Sequence, residues 1–168
     1  MSASPHILIV EAPYYTEISV ALKEGAEEYL RGESVTCETV TVPGALEIPA
    51  AIKFAASSGT FDGFVALGCV IRGETTHYDY VCSESAHGLQ VLAMADGLCI
   101  GNGILTTENR DQAWVRADRA QKNKGKDARS RSRSPAAAAA AAAAVFPPGG
   151  GGGGKGGGKL ARAGNARR

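Results

Sequence analysis

The run Arg72-Gly73-Glu74-Thr75-Thr76-His77 concentrates groups suited to handling a small phosphorylated molecule. Two hydroxyls follow a glycine and an acid directly before a run with apolar residues at helical spacing. The exposed N–H groups and positive dipole end of that helix would join the threonine donors in one anion site. Either threonine would serve equally well as a plain helix cap. His77 could move a proton, or it is a structural residue at a helix start. Arg116 offers a forked guanidinium for the same phosphate, or is solvated on a short helix, and Lys124 in Asn123-Lys124-Gly125 is a weaker cationic signal. Tyr14 presents a flat face to a ring or packs on the core. Gly44-Ala45-Leu46-Glu47 and Asn102-Gly103 complete the set of unusual segments.

These groups act together only if the fold gathers them. Ile7-Leu8-Ile9-Val10 is a continuous apolar run, as expected of a strand buried on both faces of a parallel sheet. After Ala12-Pro13, residues Ile18, Ala21, Leu22, Gly25, Ala26 and Tyr29 form an apolar stripe at helical spacing, opposite Glu17, Lys23, Glu24, Glu27 and Glu28. Val35 to Val42 predicts a second strand ending at Pro43-Gly44. Pro49 then sits where the first turn of a helix tolerates proline, with Ile48, Ile52 and Ala55 inward.

Phe64 to Ile71 is the strongest strand signal and runs straight into Arg72–His77. The helix beyond is predicted to bury Val81, Cys82, Ala86, Leu89, Leu92 and Ala93. Leu98-Cys99-Ile100 and Ile104-Leu105 flank a glycine-broken fourth strand, and Asn109 with Gln112 three residues later predicts a capped helix reaching Ala117. The alternation implies an α/β fold, a parallel sheet with helices on both faces and right-handed crossovers. Ligands of such sheets bind beyond the carboxyl ends of the strands. On this reading Tyr14 and Tyr15, Gly44–Glu47, Gly73–His77, and Asn102 with Gly103 all fall in the loops that matter.

A chain of 168 residues, 44% apolar and 21% charged, fits one soluble domain. No run approaches the roughly 18 apolar residues of a membrane span, and the first residues lack the basic start and long apolar core of a secretory signal, so the cytoplasm is the expected compartment. Cys37, Cys69, Cys82 and Cys99 show no C-x-x-C spacing and read as buried thiols rather than bridges or a metal site. The net charge of +1 conceals two opposite parts: residues 1–125 carry 9 Lys+Arg against 16 Asp+Glu, a balance of −7, and residues 126–168 carry 9 against 1, or +8. An Arg-Ser repeat, nine alanines from 136 to 144 and two glycine runs make the second part a low-complexity tail, expected to be disordered. The basic tail suggests nucleic acid, but the repeat is short and the acidic body would repel a polyanion. Gly150 to Lys155 looks superficially like a phosphate-binding loop, yet no Ser or Thr follows the lysine and no strand precedes the glycines.

Three blocks, taken in order and spacing, are decisive: Val42-Pro43-Gly44-Ala45-Leu46-Glu47-Ile48-Pro49, Gly68-Cys69-Val70-Ile71-Arg72-Gly73-Glu74-Thr75-Thr76-His77-Tyr78-Asp79-Tyr80-Val81, and Gly103-Ile104-Leu105-Thr106-Thr107-Glu108-Asn109. They closely resemble the 6,7-dimethyl-8-ribityllumazine synthase family, over residues 6 to about 125.

The resemblance implies a flavodoxin-like, three-layer α/β/α fold around a four-stranded parallel sheet, formed by a lumazine synthase domain over 1–125. The implied reaction condenses 5-amino-6-(D-ribitylamino)uracil with 3,4-dihydroxy-2-butanone 4-phosphate, releasing phosphate and water, without a metal or redox cofactor. Carried onto matching positions, Tyr14 would stack on the pyrimidine, Ala45, Leu46 and Glu47 would engage the ribityl chain and ring edge, and Cys69, Val70 and Ile71 would offer backbone contacts. Glu74 and Thr75 would bind phosphate, His77 would donate a proton, Asn102 would line the substrate, Arg116 would clamp the phosphate and Lys124 would support it. The family places its sites between neighbours in a homopentamer, and some members close into 60-subunit shells. Two departures stand out: Pro13 replaces a common arginine, and the tail is not expected to provide the amphipathic helix that follows Gly125 in the family. A same-fold protein that binds ligand or builds cages without turnover is the competing reading.

Overall fold

The first apolar run is explained by its place in the sheet. In the computed structural model, which describes residues 4–131, β1 (His6–Ala12) pairs in parallel with β2 (Thr36–Thr41) and with β3 (Gly63–Ile71). β4 (Ile100–Thr107) adds to β3, giving the order β2-β1-β3-β4. Ile9 stands opposite Thr39 in one ladder and Val65 in the other. An interior strand is covered on both faces, and so its residues run apolar without alternation.

Five helices form the outer layers: α1 (Thr16–Gly32), α2 (Ile48–Ala56), α3 (His77–Ala95), α4 (Arg110–Ala117) and α5 (Lys124–Arg131). Successive strand residues face opposite layers. Ile7, Ile9, Val65, Leu67 and Leu105 pack with Ile18 and Leu22 of α1, Ala113 of α4 and Ala128 of α5. Leu8, Val10, Phe64 and Ala66 pack with Ile48 and Ile52 of α2 and Leu89 of α3. Each of the Val, Leu, Ile and Phe side chains among these contributes roughly 1.5–3 kcal/mol on burial, the alanines less. The result is the expected three-layer, flavodoxin-like arrangement.

Local signals set several element ends. Pro49 occupies the first turn of α2, and the Asn109 side chain accepts from the Gln112 N–H at 2.9 Å, capping α4 as its spacing predicts. β2 is an edge strand with most residues exposed, which accounts for its threonines.

Three features depart from the sequence reading. β4 continues unbroken through Gly101 and Gly103, so Asn102 lies inside the strand and not in the loop after it. The glycine at 103 answers a packing demand: a Cβ there would lie 2.7 Å from the Cβ of Ala128. In α3 the buried row is Val81, Ser85, Leu89 and Leu92, whereas Ala86 faces outward. Ser85 is admitted because its hydroxyl donates to the Cys82 carbonyl at 3.4 Å. Finally, the chain is helical across Gly125. α5 begins at Lys124, crosses the boundary expected after Gly125 and packs on α1 and β4. Its contacts use small residues, since a Cβ on Gly125 would overlap the Leu22 carbonyl, and a pattern of large apolar residues is a poor guide to such a helix. The alanine and glycine runs of the tail lie outside the described residues. Among the described residues, no helix is long and apolar enough to cross a membrane.

Candidate active site

Between β1 and β3 the connections change direction, one leading outward to β2 and the other toward β4. A crevice therefore opens at the carboxyl ends of these two strands, the position where ligands settle in sheets of this kind. It is a cleft of about 460 Å³.

Four segments wall it. The turn from β1 to α1 supplies Tyr14 and Tyr15. The turn before α2 supplies Pro43 to Glu47. The end of β3 supplies Cys69, Val70 and Ile71, and the start of α3 supplies Gly73, Thr75, His77, Tyr78 and Val81. Sequence-predicted Tyr14, Ala45, Leu46, Glu47, Cys69, Val70, Ile71, Thr75 and His77 are thus brought together.

Tyr14 is 74% exposed, so it does not pack on the core; its ring meets Tyr15 edge-on at 5.0 Å between centroids. Tyr15 leans on the core beneath it, and burial raises its hydroxyl pKa. The aromatic face presented to the cleft is therefore braced from behind. A short 3-10 turn over Ala45–Glu47 buries Ala45 and leaves Leu46 and Glu47 outward.

Burial pushes the Cys69 thiol up to about 11, and the neighbouring Thr107 side chain offsets this in part. At neutral pH the thiol is protonated, which removes it as a nucleophile and leaves it a wall. Thr76 occupies the cap position of α3 but makes no side-chain cap bond, while Thr75 Oγ1 accepts from the His77 N–H at 3.4 Å. That bond is long, and the hydroxyl remains placed on the cleft wall beside the helix start.

Four predicted residues are not part of the wall. Glu74 sits between two lining residues with its side chain exposed. Asn102 lies within β4 opposite Ala66, its Oδ1 accepting from the Ile104 N–H at 2.9 Å. Arg116 donates to the carbonyl of Gln112, one turn back on α4, at 2.9 Å, and Lys124 pairs with Asp127 at 2.6 Å. Among the described residues, no lysine or arginine lines the cleft.

Sequence reading placed Tyr15 beside Tyr14 in the loop after the first strand but missed Tyr78 and Val81 as lining residues. Tyr78 and Val81 are revealed only by the helical phase of α3, which places them one turn apart on the side turned to β3.

Comparison with known proteins agrees with this geometry. The model of the 6,7-dimethyl-8-ribityllumazine synthase family matches residues 4–144. A 6,7-dimethyl-8-ribityllumazine synthase from Sphingopyxis alaskensis is 56% identical over 123 residues, covering 73% of this chain and 86% of the relative. One from Zymomonas mobilis is 58% identical over 121 residues, 72% of this chain and 86% of the relative, and one from Agrobacterium fabrum is 54% identical over 128 residues, 73% and 86%. With a four-stranded parallel sheet, a cleft at its switch point and identity sustained over nearly three quarters of its length, this chain belongs to the 6,7-dimethyl-8-ribityllumazine synthase family.

Proposed function

We propose that this chain condenses 5-amino-6-(D-ribitylamino)uracil with 3,4-dihydroxy-2-butanone 4-phosphate to give 6,7-dimethyl-8-ribityllumazine, a transferase reaction of riboflavin biosynthesis. The pyrimidine stacks on Tyr14 against the backbone of Cys69, Val70 and Ile71. The ribityl chain follows Ala45, Leu46 and Glu47. The phosphate lies at the start of α3, on the Thr75 hydroxyl and the main chain near Glu74.

The chemistry asks for placement and proton management. The amine of one substrate attacks the ketone of the other and water leaves to form a Schiff base. Phosphate is then eliminated, and the second amine closes the ring with loss of water. Orienting two reactants supplies much of such a rate gain, and His77 beside the phosphate turn moves the proton.

The observation that carries this reading is the composition of the cleft: an aromatic face, a carboxylate, hydroxyls, a helix start and an imidazole, but no cation. A phosphate substrate calls for one. We assign Arg116, Lys124 and Asn102 to the same site from a neighbouring copy in a homopentamer, the arrangement of the family, with a 60-subunit shell as its larger form. The cytoplasm is the compartment proposed for these soluble substrates.

Incubating the purified chain with both substrates tests the assignment. Lumazine and inorganic phosphate should appear in equal amounts. Binding of the pyrimidine without any product would instead favour a same-fold protein that holds ligand or builds cages.

A further inference from the structure

Arg72 lies outside the cleft wall, yet all the groups it holds border the phosphate turn. Its Nε donates to Glu108, just beyond β4, at 2.7 Å, and its Nη1 donates to Asp79, in the first turn of α3, at 3.1 Å. The guanidinium lies over the Tyr78 ring, 4.1 Å from its centroid. The Arg72 N–H also donates to the Thr107 carbonyl at 3.0 Å, extending the β3–β4 ladder past the strand end. The Tyr78 hydroxyl lies beside the Thr106 and Cys82 side chains.

The segment Gly73–Thr76 is exposed throughout, and a Cβ on Gly73 would meet nothing within 4 Å. Burial does not shape this turn. Its two ends are instead joined by one side chain, which reaches from the end of β3 to Tyr78 and Asp79 of α3 and to Glu108. The task suits arginine, whose planar fork serves two carboxylates while its face stacks on a ring; a lysine ammonium cannot do all three.

We propose that Arg72 is a positioning residue for the phosphate substrate, clamping Gly73–Thr76 so that Thr75 and the first N–H groups of α3 converge on the phosphate. This rests on the phosphate assignment made above. Arg72 itself touches no substrate. Because its partners are exposed, the clamp contributes little to global stability, and its effect falls on the turn.

Steady-state kinetics of the full chain, with titration of inorganic phosphate, tests the clamp. Arg72→Ala should raise KM for the hydroxyketone phosphate by about 5- to 50-fold and weaken inorganic phosphate similarly, with pyrimidine KM within about twofold and an unchanged oligomeric state. Arg72→Lys should recover only part of the loss. Glu108→Gln, which keeps the Asp79 arm, should shift the same constants less and in the same direction, and it carries the test should Arg72→Ala fail to fold. Turnover with KM for the phosphate substrate unchanged in these variants overturns the clamp alone. A wild-type chain that binds phosphate through the clamp but makes no product overturns the functional reading and leaves the clamp standing.

Discussion

Asn102 stands opposite Ala66 in the β3–β4 ladder, three positions before Cys69 reaches the cleft. At about 3.3 Å per strand residue, that offset holds Asn102 roughly 10 Å back along the sheet. Asn102 thus does not line the cleft of its own chain, and Arg116 and Lys124 likewise lie outside it, bonded to Gln112 and Asp127. The homopentamer proposed above would supply all three from a second copy.

If Arg116 from a neighbour clamps the phosphate, Arg116→Ala should weaken the hydroxyketone phosphate by about 10- to 100-fold while leaving the pyrimidine nearly unaffected, the loss expected for a charge-assisted contact. Its single bond within the chain, to Gln112, lies on the same helix, so melting temperature should barely move. Equal losses for both substrates, read from paired KM values, would remove Arg116 from the phosphate site.

His77→Ala should slow turnover by about 10-fold to 10⁴-fold with pyrimidine binding retained, as expected when proton transfer is lost. Its ring borders the cleft beside Thr75. Single-turnover rates alongside equilibrium binding make the distinction; an unchanged rate would take it off the catalytic list.

Gly125→Ala should destabilise the chain by about 1–3 kcal/mol, since the new methyl would strike backbone rather than a movable side chain. Chemical denaturation would report the loss as a lower midpoint with the slope preserved. A variant as stable as the wild type would mean that α5 is not docked against α1.

Stability should also fall between about pH 9 and 11 through Cys69. Burial holds its folded pKa at about 11, above the ordinary 9.0, so the unfolded chain releases its proton first as pH rises. The contribution is complete below pH 9 and lost through the folded pKa. Cys69→Ala should flatten this part of the melting-temperature profile; identical profiles would refute the assignment.

The interior strands were legible because burial on both faces leaves no polar residue at Ile7–Val10 or Phe64–Leu67, and the cap of α4 was legible because Asn109 and Gln112 carry it locally. β4 and α5 were not. Gly103 and Gly125 are dictated by the close approach of a helix distant in sequence, and in one dimension they look like breaks. Ser85 replaced Ala86 in the core because a hydroxyl satisfied by its own helix can be buried. At the site, residues beside strand ends were found from topology, and Tyr14 proved an open face rather than a core ring. The clamp around Arg72 escaped notice because its partners, Glu108 and Asp79, belong to different elements and meet only after β3 and β4 pair.

The shared site is tested most directly by complementation. His77→Ala and Arg116→Ala damage the two halves contributed by different copies. Assayed with the hydroxyketone phosphate well below its wild-type KM, each variant purified alone should keep at most about a tenth of wild-type activity, but co-expressed in equal amounts they should form mixed rings in which about a quarter of the interfaces join two intact halves. A site built from two copies should give about a quarter of wild-type activity in that preparation. Activity no higher than that of the separate variants, in rings shown by mass to contain both chains, would contradict it.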